Sequence, residues 1–234
     1  SDWYENRVTV EDSSGFAPGC GIMLRSYTDS GSLREVVRDT VVGVEGKEVY
    51  LSRRPEKNFW CEDQATASTL FPVLTAEEGV CDVTVEHLVL DGHRDANEEI
   101  NGNYAGAVFI QHCHRFTFRA VIARNYNGDG FSFQVCDDIH FERCRSENNA
   151  NLGFHPGSGS QRPIFRNCSS RGNAQGIFFC WGVGSPSVSI SSSAASLLII
   201  SIAESTLASG SKTASLLTAR TNRSTQSHNP STLG

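Results

Sequence analysis

An all-β fold is predicted for this sequence: a parallel solenoid with rungs of about 23 residues and a small β-rich cap at its N-terminal end. Three observations carry that expectation. Val108-Phe109-Ile110-Gln111 recurs as Phe131-Ser132-Phe133-Gln134 at an offset of 23, and Gly130, Gly153 and Gly176 keep the same offset, each followed by an apolar residue. A second strand-like stretch repeats as Phe116-Thr117-Phe118, Ile139-His140-Phe141 and Ile164-Phe165. Polar corners follow it each time, at Asn125-Tyr126-Asn127-Gly128, Asn148-Asn149 and Gly172-Asn173. Periods in the twenties, with short β stretches and no helical periodicity, mark stacked repeats. Equivalent side chains then lie one above another at the strand spacing of ~4.8 Å.

In chain order, residues 1–66 do not follow the period. Gly15-Phe16-Ala17-Pro18-Gly19 reads as a loop leading into a strand at Gly21-Ile22-Met23-Leu24. Val41–Val44 and Glu48–Leu51 flank Glu45-Gly46-Lys47, a hairpin signal. The segment is expected to cap the first rung, because a solenoid otherwise ends in an open edge. The solenoid itself is expected over 67–183. Its first legible rung is Val83–Gly92, which registers with Phe116, Phe118 and Val121 at an offset of 33. Ten extra residues therefore leave the rung at about His93 to Asn103, a highly polar insertion of the kind that maps to one face of a repeat.

Residues 184–234 change character. Fifteen of the last fifty residues are Ser, and Glu204 is the only acid there. Val188-Ser189-Ile190 continues the register for one more rung. Beyond it the composition fits a Ser-rich linker, a disordered end or a shifted reading frame, without separating them.

The net charge of -6 excludes a generally basic nucleic-acid binder. Between Ala105 and Gln175, however, eight Arg stand against five acids, a local excess that suits an anionic polymer such as a uronic-acid glycan. No apolar run is long enough to span a membrane, and no signal peptide or initiator Met is present, which reads as a mature or trimmed chain. Oligomeric state is not readable. The eight cysteines form no CxxC pair, against a zinc ribbon. Cys113 with Cys136, and Cys144 with Cys168, fall on adjacent rungs with parallel Cβ vectors, so free thiols packed as small hydrophobes are expected.

Alternation assigns faces. Val108, Ile110, Phe131, Phe133, Phe154 and Pro156 point inward. Phe109, Ser132, His155 and Phe178 form an outward strip with Gln111 and Gln134 beside it. His155 opens the run His155-Pro156-Gly157-Ser158-Gly159-Ser160, whose backbone N–H groups are expected to stand bare for a sugar carboxylate. Asp129 precedes its strand at the corner where the insertion rejoins the solenoid. The expected site is His155 as general base, Asp129 as acid or metal ligand, and Arg94 as neutraliser of a uronate. His93, Asp95, Glu98, Phe109, Gln111 and Gln134 are expected to bind substrate. No cofactor is fixed by these residues, and Ca2+ is kept open. Asn125, Asn127, Asn148, Asn149 and Asn173 are expected as structural corner ladders, and His112, His114 and His140 as solvated.

Over roughly Leu70 to Val183 the chain resembles the right-handed parallel β-helix, or pectate-lyase-like, superfamily. Gly15–Leu24 is similar to that superfamily's lead-in segment, although an acid is expected near Cys20. The resemblance implies a right-handed β-helix, export to the cell surface or medium, and polysaccharide as partner. Asp137-Asp138 is similar to the adjacent aspartates of β-helix polygalacturonases, but their Gly-His-Gly and Arg-Ile-Lys motifs are absent, which disfavours a pectin hydrolase. The expected function is a secreted lyase or epimerase acting on an acidic polysaccharide. The alternative is a non-catalytic β-helix that binds glycans at a surface.

Overall fold

The computed structural model describes residues 3–69, 72–193 and 220–222. The chain divides into two compact units, Ser1–Phe71 and Pro72–Gly234. The first is an antiparallel sheet of β1 (Arg7–Thr9), β2 (Gly21–Tyr27), β3 (Leu33–Glu45), β4 (Glu48–Leu51) and β5 (Thr66–Ser68), in the order β1-β4-β3-β2-β5. The hairpin forms where the sequence places it. Glu45 pairs with Glu48 across Gly46-Lys47, and Gly46 has the positive φ (59°) that so tight a turn demands. Ile22, Leu24, Val41, Val49 and Leu51 turn to one side and bury against Phe59, giving this unit its own core. Because β5 pairs with β2, the unit runs past Thr66, where the cap was expected to end.

The second unit is a parallel β-solenoid of about four turns. Its first rung holds β6 (Leu74–Ala76), β7 (Thr84–Glu86) and β8 (Val89–Asp91). The second holds β9 (Gly106–Gln111), β10 (Thr117–Arg119) and β11 (Ile122–Arg124). The third holds β12 (Asp129–Gln134), β13 (His140–Glu142) and β14 (Arg145–Glu147). The fourth holds β15 (Leu152–Pro156) and β16 (Ile164–Arg171), the latter running through two faces. β17 (Gln175–Ile177) and β18 (Ser187–Ser193) begin a further turn, and β19 (Arg220–Asn222) pairs in parallel with β18.

Register follows the sequence period. Phe131 pairs with Val108 on one side and Phe154 on the other, each 23 residues away. Between the first and second rungs the offset is 33, as Val85 pairs with Phe118. The extra residues lie between β8 and β9, where the polar insertion was read. Inside, identical rings stack one rung apart: Phe131 on Phe154 at 5.0 Å, Phe118 on Phe141 at 5.0 Å, and Phe141 on Phe165 at 4.9 Å. The two ladders meet edge to face, Phe131 against Phe141 at 5.3 Å. Each such ring is fully buried and contributes about 1.5–3 kcal/mol over an exposed one. Cys113, Cys136, Cys144 and Cys168 sit reduced in the same core, as small hydrophobes.

A corner ladder closes the rungs. Asn149 accepts from Tyr126 N–H (2.9 Å), Asn173 accepts from Asn149 N–H (2.8 Å), and both side-chain amides donate back toward the rung before. Asn125 and Asn148, one residue earlier, take left-handed φ of 50° and 55°, which asparagine tolerates better than most residues. β18 is the continuation read at Val188-Ser189-Ile190: Val188 pairs with Phe165 and Ile190 with Cys168. The tail readings concern residues that, apart from 191–193 and 220–222, lie outside the described ones.

Candidate functional site

The outward strip of the sheet β6-β9-β12-β15-β17 places the site. Ser132 pairs with Phe109 and with His155, and the His155 ring meets Phe178 edge-on at 6.1 Å. These residues point away from the core, yet Phe109, Ser132 and His155 are buried. The strip is covered because the insertion between β8 and β9 lies over it. Ser132 Oγ donates to the carbonyl oxygen of Gly102 (2.5 Å), and Ile100 N–H donates to Asn127 (2.8 Å). Gly102 passes so close to Asp129 that a Cβ there would meet its carboxylate at 1.7 Å. Only glycine lets the loop seat.

Asp129 is 1% exposed and His155 5%. His155 Nδ1 lies 2.6 Å from Asp129 Oδ2, while Asp129 Oδ1 accepts from Leu152 N–H at 2.9 Å. Both carboxylate oxygens are thus engaged, which fixes the carboxylate and through it the imidazole. On the other side His155 Nε2 lies 3.0 Å from Cys180 Sγ. Burial opposes charge on this imidazole. The hydrogen bonds to Asp129 and Cys180 outweigh that penalty and raise its pKa to about 9. At neutral pH the group is an imidazolium donating to a carboxylate and to a sulfur.

The carboxylate, imidazole and thiol border a cavity of about 620 Å³ that opens to solvent. Glu99, Asn101, Gly102 and Asn103 of the insertion form one wall, Asn151 and Leu152 with Ala174 and Gln175 another, and Phe178 stands beside His155. The volume falls in the range of small-ligand sites.

Of the residues singled out in the sequence, the structure therefore brings together Asp129, His155 and the second half of the insertion. Arg94 is elsewhere. His93 has a left-handed φ of 48° and leads into a 3-10 turn over Arg94–Ala96. That turn aims Arg94 at the carbonyl of Asn148 (3.5 Å), in a separate cavity with Asp91, His93, Asp95 and Asn125. His93, Arg94 and Asp95 do not line the His155 cavity; Glu99, rather than Glu98, does. Phe109 is buried under the loop rather than presented to solvent, and Gln111, on β9, is half-buried outside the cavity lining.

The run after His155 does not bare its backbone. Gly157 N–H donates to Phe133, Ser158 N–H to Gln134 Oε1 (3.0 Å), Gly159 N–H to Trp181 and Ser160 N–H to Gly157. Gln134 is spent on this turn and packs where a Cβ on Gly157 would stand. The arginine excess is not at the cavity either. Arg115 pairs with Asp82, Arg119 with Glu86 and Glu142, Arg124 with Asp91 and Arg162 with Asp138, all on the other faces. Asp137 and Asp138 lie there too, facing His114 and Arg162. Among the described residues no group of three or more His, Cys, Asp or Glu is arranged to hold a metal ion.

Cys180 is the residue that sequence reasoning passed over. The signal was available: alternation turns Phe178 outward and Phe179 inward, and so turns Cys180 outward again. Its N–H is tied to the Pro156 carbonyl (3.0 Å), which fixes the thiol one rung above His155.

No protein-family model matches this sequence, and none of the curated proteins compared with it matches. Among solved structures, the tailspike protein gp49 from Pseudomonas phage LKA1 is similar over 82% of this chain and 44% of its own, at 10% identity and a TM-score of 0.32. The Gp54 tailspike of Acinetobacter baumannii bacteriophage AP22, solved in complex with A. baumannii capsular saccharide, is similar over 82% of this chain and 43% of its own, at 11% identity and a TM-score of 0.28. The chain spans less than half the length of either. Among the described residues no helix is long and apolar enough to cross a membrane.

Proposed function

We propose that this β-helix acts on polysaccharide, and that an acidic glycan outside the cell lies in the cavity beside Asp129 and His155. One observation carries the reading: a buried, oriented imidazolium at the edge of an open cavity whose other polar side chains are amides, the carboxylates of Asp129 and Glu99, and the Cys180 thiol. Amides both donate to and accept from sugar hydroxyls, Phe178 offers an apolar face, and His155 is the cation nearest a uronate carboxylate.

Elimination or epimerisation, the chemistry expected from the sequence, begins by removing the proton α to that carboxylate. It needs a neutral imidazole with an open lone pair. His155 reaches that state only as pH rises past about 9, and Nε2 faces Cys180. A lyase of this design works on the alkaline side. The occupied nitrogens favour a second reading, in which the cavity's amides and Phe178 hold the glycan beside the paired imidazolium without breaking a bond.

The test is titration of a panel of polyuronates into the protein, with calorimetry for binding and ultraviolet absorbance for unsaturated ends at pH 7 and 9.5. Binding that is lost in His155→Ala supports the site, and new absorbance at pH 9.5 identifies elimination. Absence of binding and of product with every polyuronate overturns it.

A further inference from the structure

We propose that Cys180 is a nucleophile and that Cys180, His155 and Asp129 form an acyl-transfer triad, which removes ester substituents from the polysaccharide in the cavity. The inference rests on the preceding reading for its substrate. Its chemistry rests on geometry of its own, and it makes the contact between Nε2 and sulfur a requirement where for elimination it was an obstacle.

Cys180 sulfur stands 3.0 Å from His155 Nε2, and Asp129 Oδ2 2.6 Å from Nδ1. Nucleophile, base and orienting carboxylate thus run in line, each within hydrogen-bond reach of the next. The imidazole and carboxylate are buried and held, while Cys180 is partly exposed and lines the cavity. Structural cysteines of this chain have another environment: Cys113, Cys136, Cys144 and Cys168 lie in the phenylalanine core, away from solvent. Four buried thiols pack; the fifth is aimed at a histidine.

The balanced reaction is ester plus water giving alcohol and carboxylic acid. With the thiol proton on His155, Cys180 thiolate adds to the ester carbonyl, and a C–S bond forms. As the tetrahedral adduct collapses, the C–O bond to the sugar breaks, and the sugar oxygen takes the proton from Nε2. The thioester is then attacked by water, whose proton passes to the now neutral Nε2. The C–S bond breaks, the acid leaves, and thiolate and imidazolium are restored. Asp129 acts through His155 and touches none of the reacting atoms. It is a positioning residue that holds the imidazole ring and stabilises its charged form.

The test uses the whole chain with 4-nitrophenyl acetate and with an O-acetylated polyuronate, measuring released acetate. Acid-quenched protein is digested and the Cys180 peptide examined for an acetyl group by mass spectrometry. Wild type is expected to release acetate from both and to carry acetyl on Cys180. Cys180→Ala and His155→Gln are expected to lose roughly two to four orders of magnitude in rate, and Cys61→Ser none. Asp129→Asn is expected to lower kcat more than KM and to move the pH profile, which loss of packing alone would not do.

Retained rate in Cys180→Ala, or no acetyl on Cys180, overturns the proposal. Should the variants fail to fold, wild type decides: iodoacetamide at pH 6.5 is expected to modify Cys180 at least about tenfold faster than Cys20 or Cys61 and to abolish acetate release. Equal reactivity overturns the triad. Binding of the polyuronate without acetate release rejects ester cleavage and leaves the glycan site standing. Turnover of the small ester through Cys180, with no binding or deacetylation of any polyuronate, rejects the polysaccharide substrate and leaves the nucleophile.

Discussion

Two outer surfaces of one solenoid solve the same problem in opposite ways. On β7, β10 and β13, and at the turns that lead into β7, β10, β13 and β16, charged residues pair from rung to rung: Arg119 lies between Glu86 and Glu142, Arg115 reaches Asp82 bidentately at 2.6 and 2.7 Å, and Arg162 reaches Asp138. These pairs stand in water. On β9, β12 and β15 the outward residues are Phe109, Ser132, His155 and their neighbours, covered by the insertion and removed from solvent. The close acid–base pair there, Asp129 with His155, is almost wholly buried. Exposed pairs hold register and add little to stability, whereas a buried pair costs desolvation and must be complete to exist. The first surface is scaffold, the second a site.

The largest effect that would break this contrast is on turnover. His155→Ala is expected to lower the rate on the cognate polysaccharide by roughly two to four orders of magnitude, measured as product per protein at saturating substrate. Next comes stability. Asp129→Ala leaves a buried imidazole without its partner and is expected to cost about 3–5 kcal/mol in chemical denaturation. The same pair gives the fold a pH dependence. Because His155 is raised from about 6.5 unfolded to about 9 folded, its contribution is complete below about 6.5 and is lost as pH rises through about 9, a few kcal/mol in all. Denaturation midpoints at pH 6 and 10 in wild type and Asp129→Asn check the sign, since the variant should lack most of the drop.

Gly153→Ala is expected to destabilise by about 1–3 kcal/mol, because the added Cβ would meet Ser170 Oγ at 2.3 Å and the Gly176 carbonyl at 2.6 Å beside the asparagine ladder. At the small end, Arg162→Ala removes a bidentate pair from the solvated surface and is expected to leave both the thermal midpoint and turnover unchanged. A loss comparable with Asp129→Ala would erase the distinction between the surfaces.

How much of this was legible follows from what repeats. Stacked phenylalanines, the corner ladder at Asn149 and Asn173, and the strip Phe109-Ser132-His155-Phe178 all follow from a period that the letters carry. The loop between β8 and β9 was legible as an insertion, since it breaks that period by ten. Its course was not, because a left-handed His93 and one 3-10 turn decide which residues reach the cavity. Alternation says that His155 points outward; it does not say that Gly102 and Ser132 close over it. Nor could it show that Gln134 occupies the Ser158 N–H, a contact between rungs at a turn. Cys180 follows Phe178 on the same alternation, but the letters do not show that its thiol reaches back to the His155 ring one rung below.

The claim that this covered surface holds a charged, oriented site is tested most directly by a nuclear magnetic resonance titration of isotope-labelled histidine side chains, in wild type and Asp129→Asn. His155 is expected to titrate near 9 in wild type and to fall by at least about one unit without the carboxylate. A wild-type midpoint at or below 6.5, or one indifferent to Asp129, would contradict it.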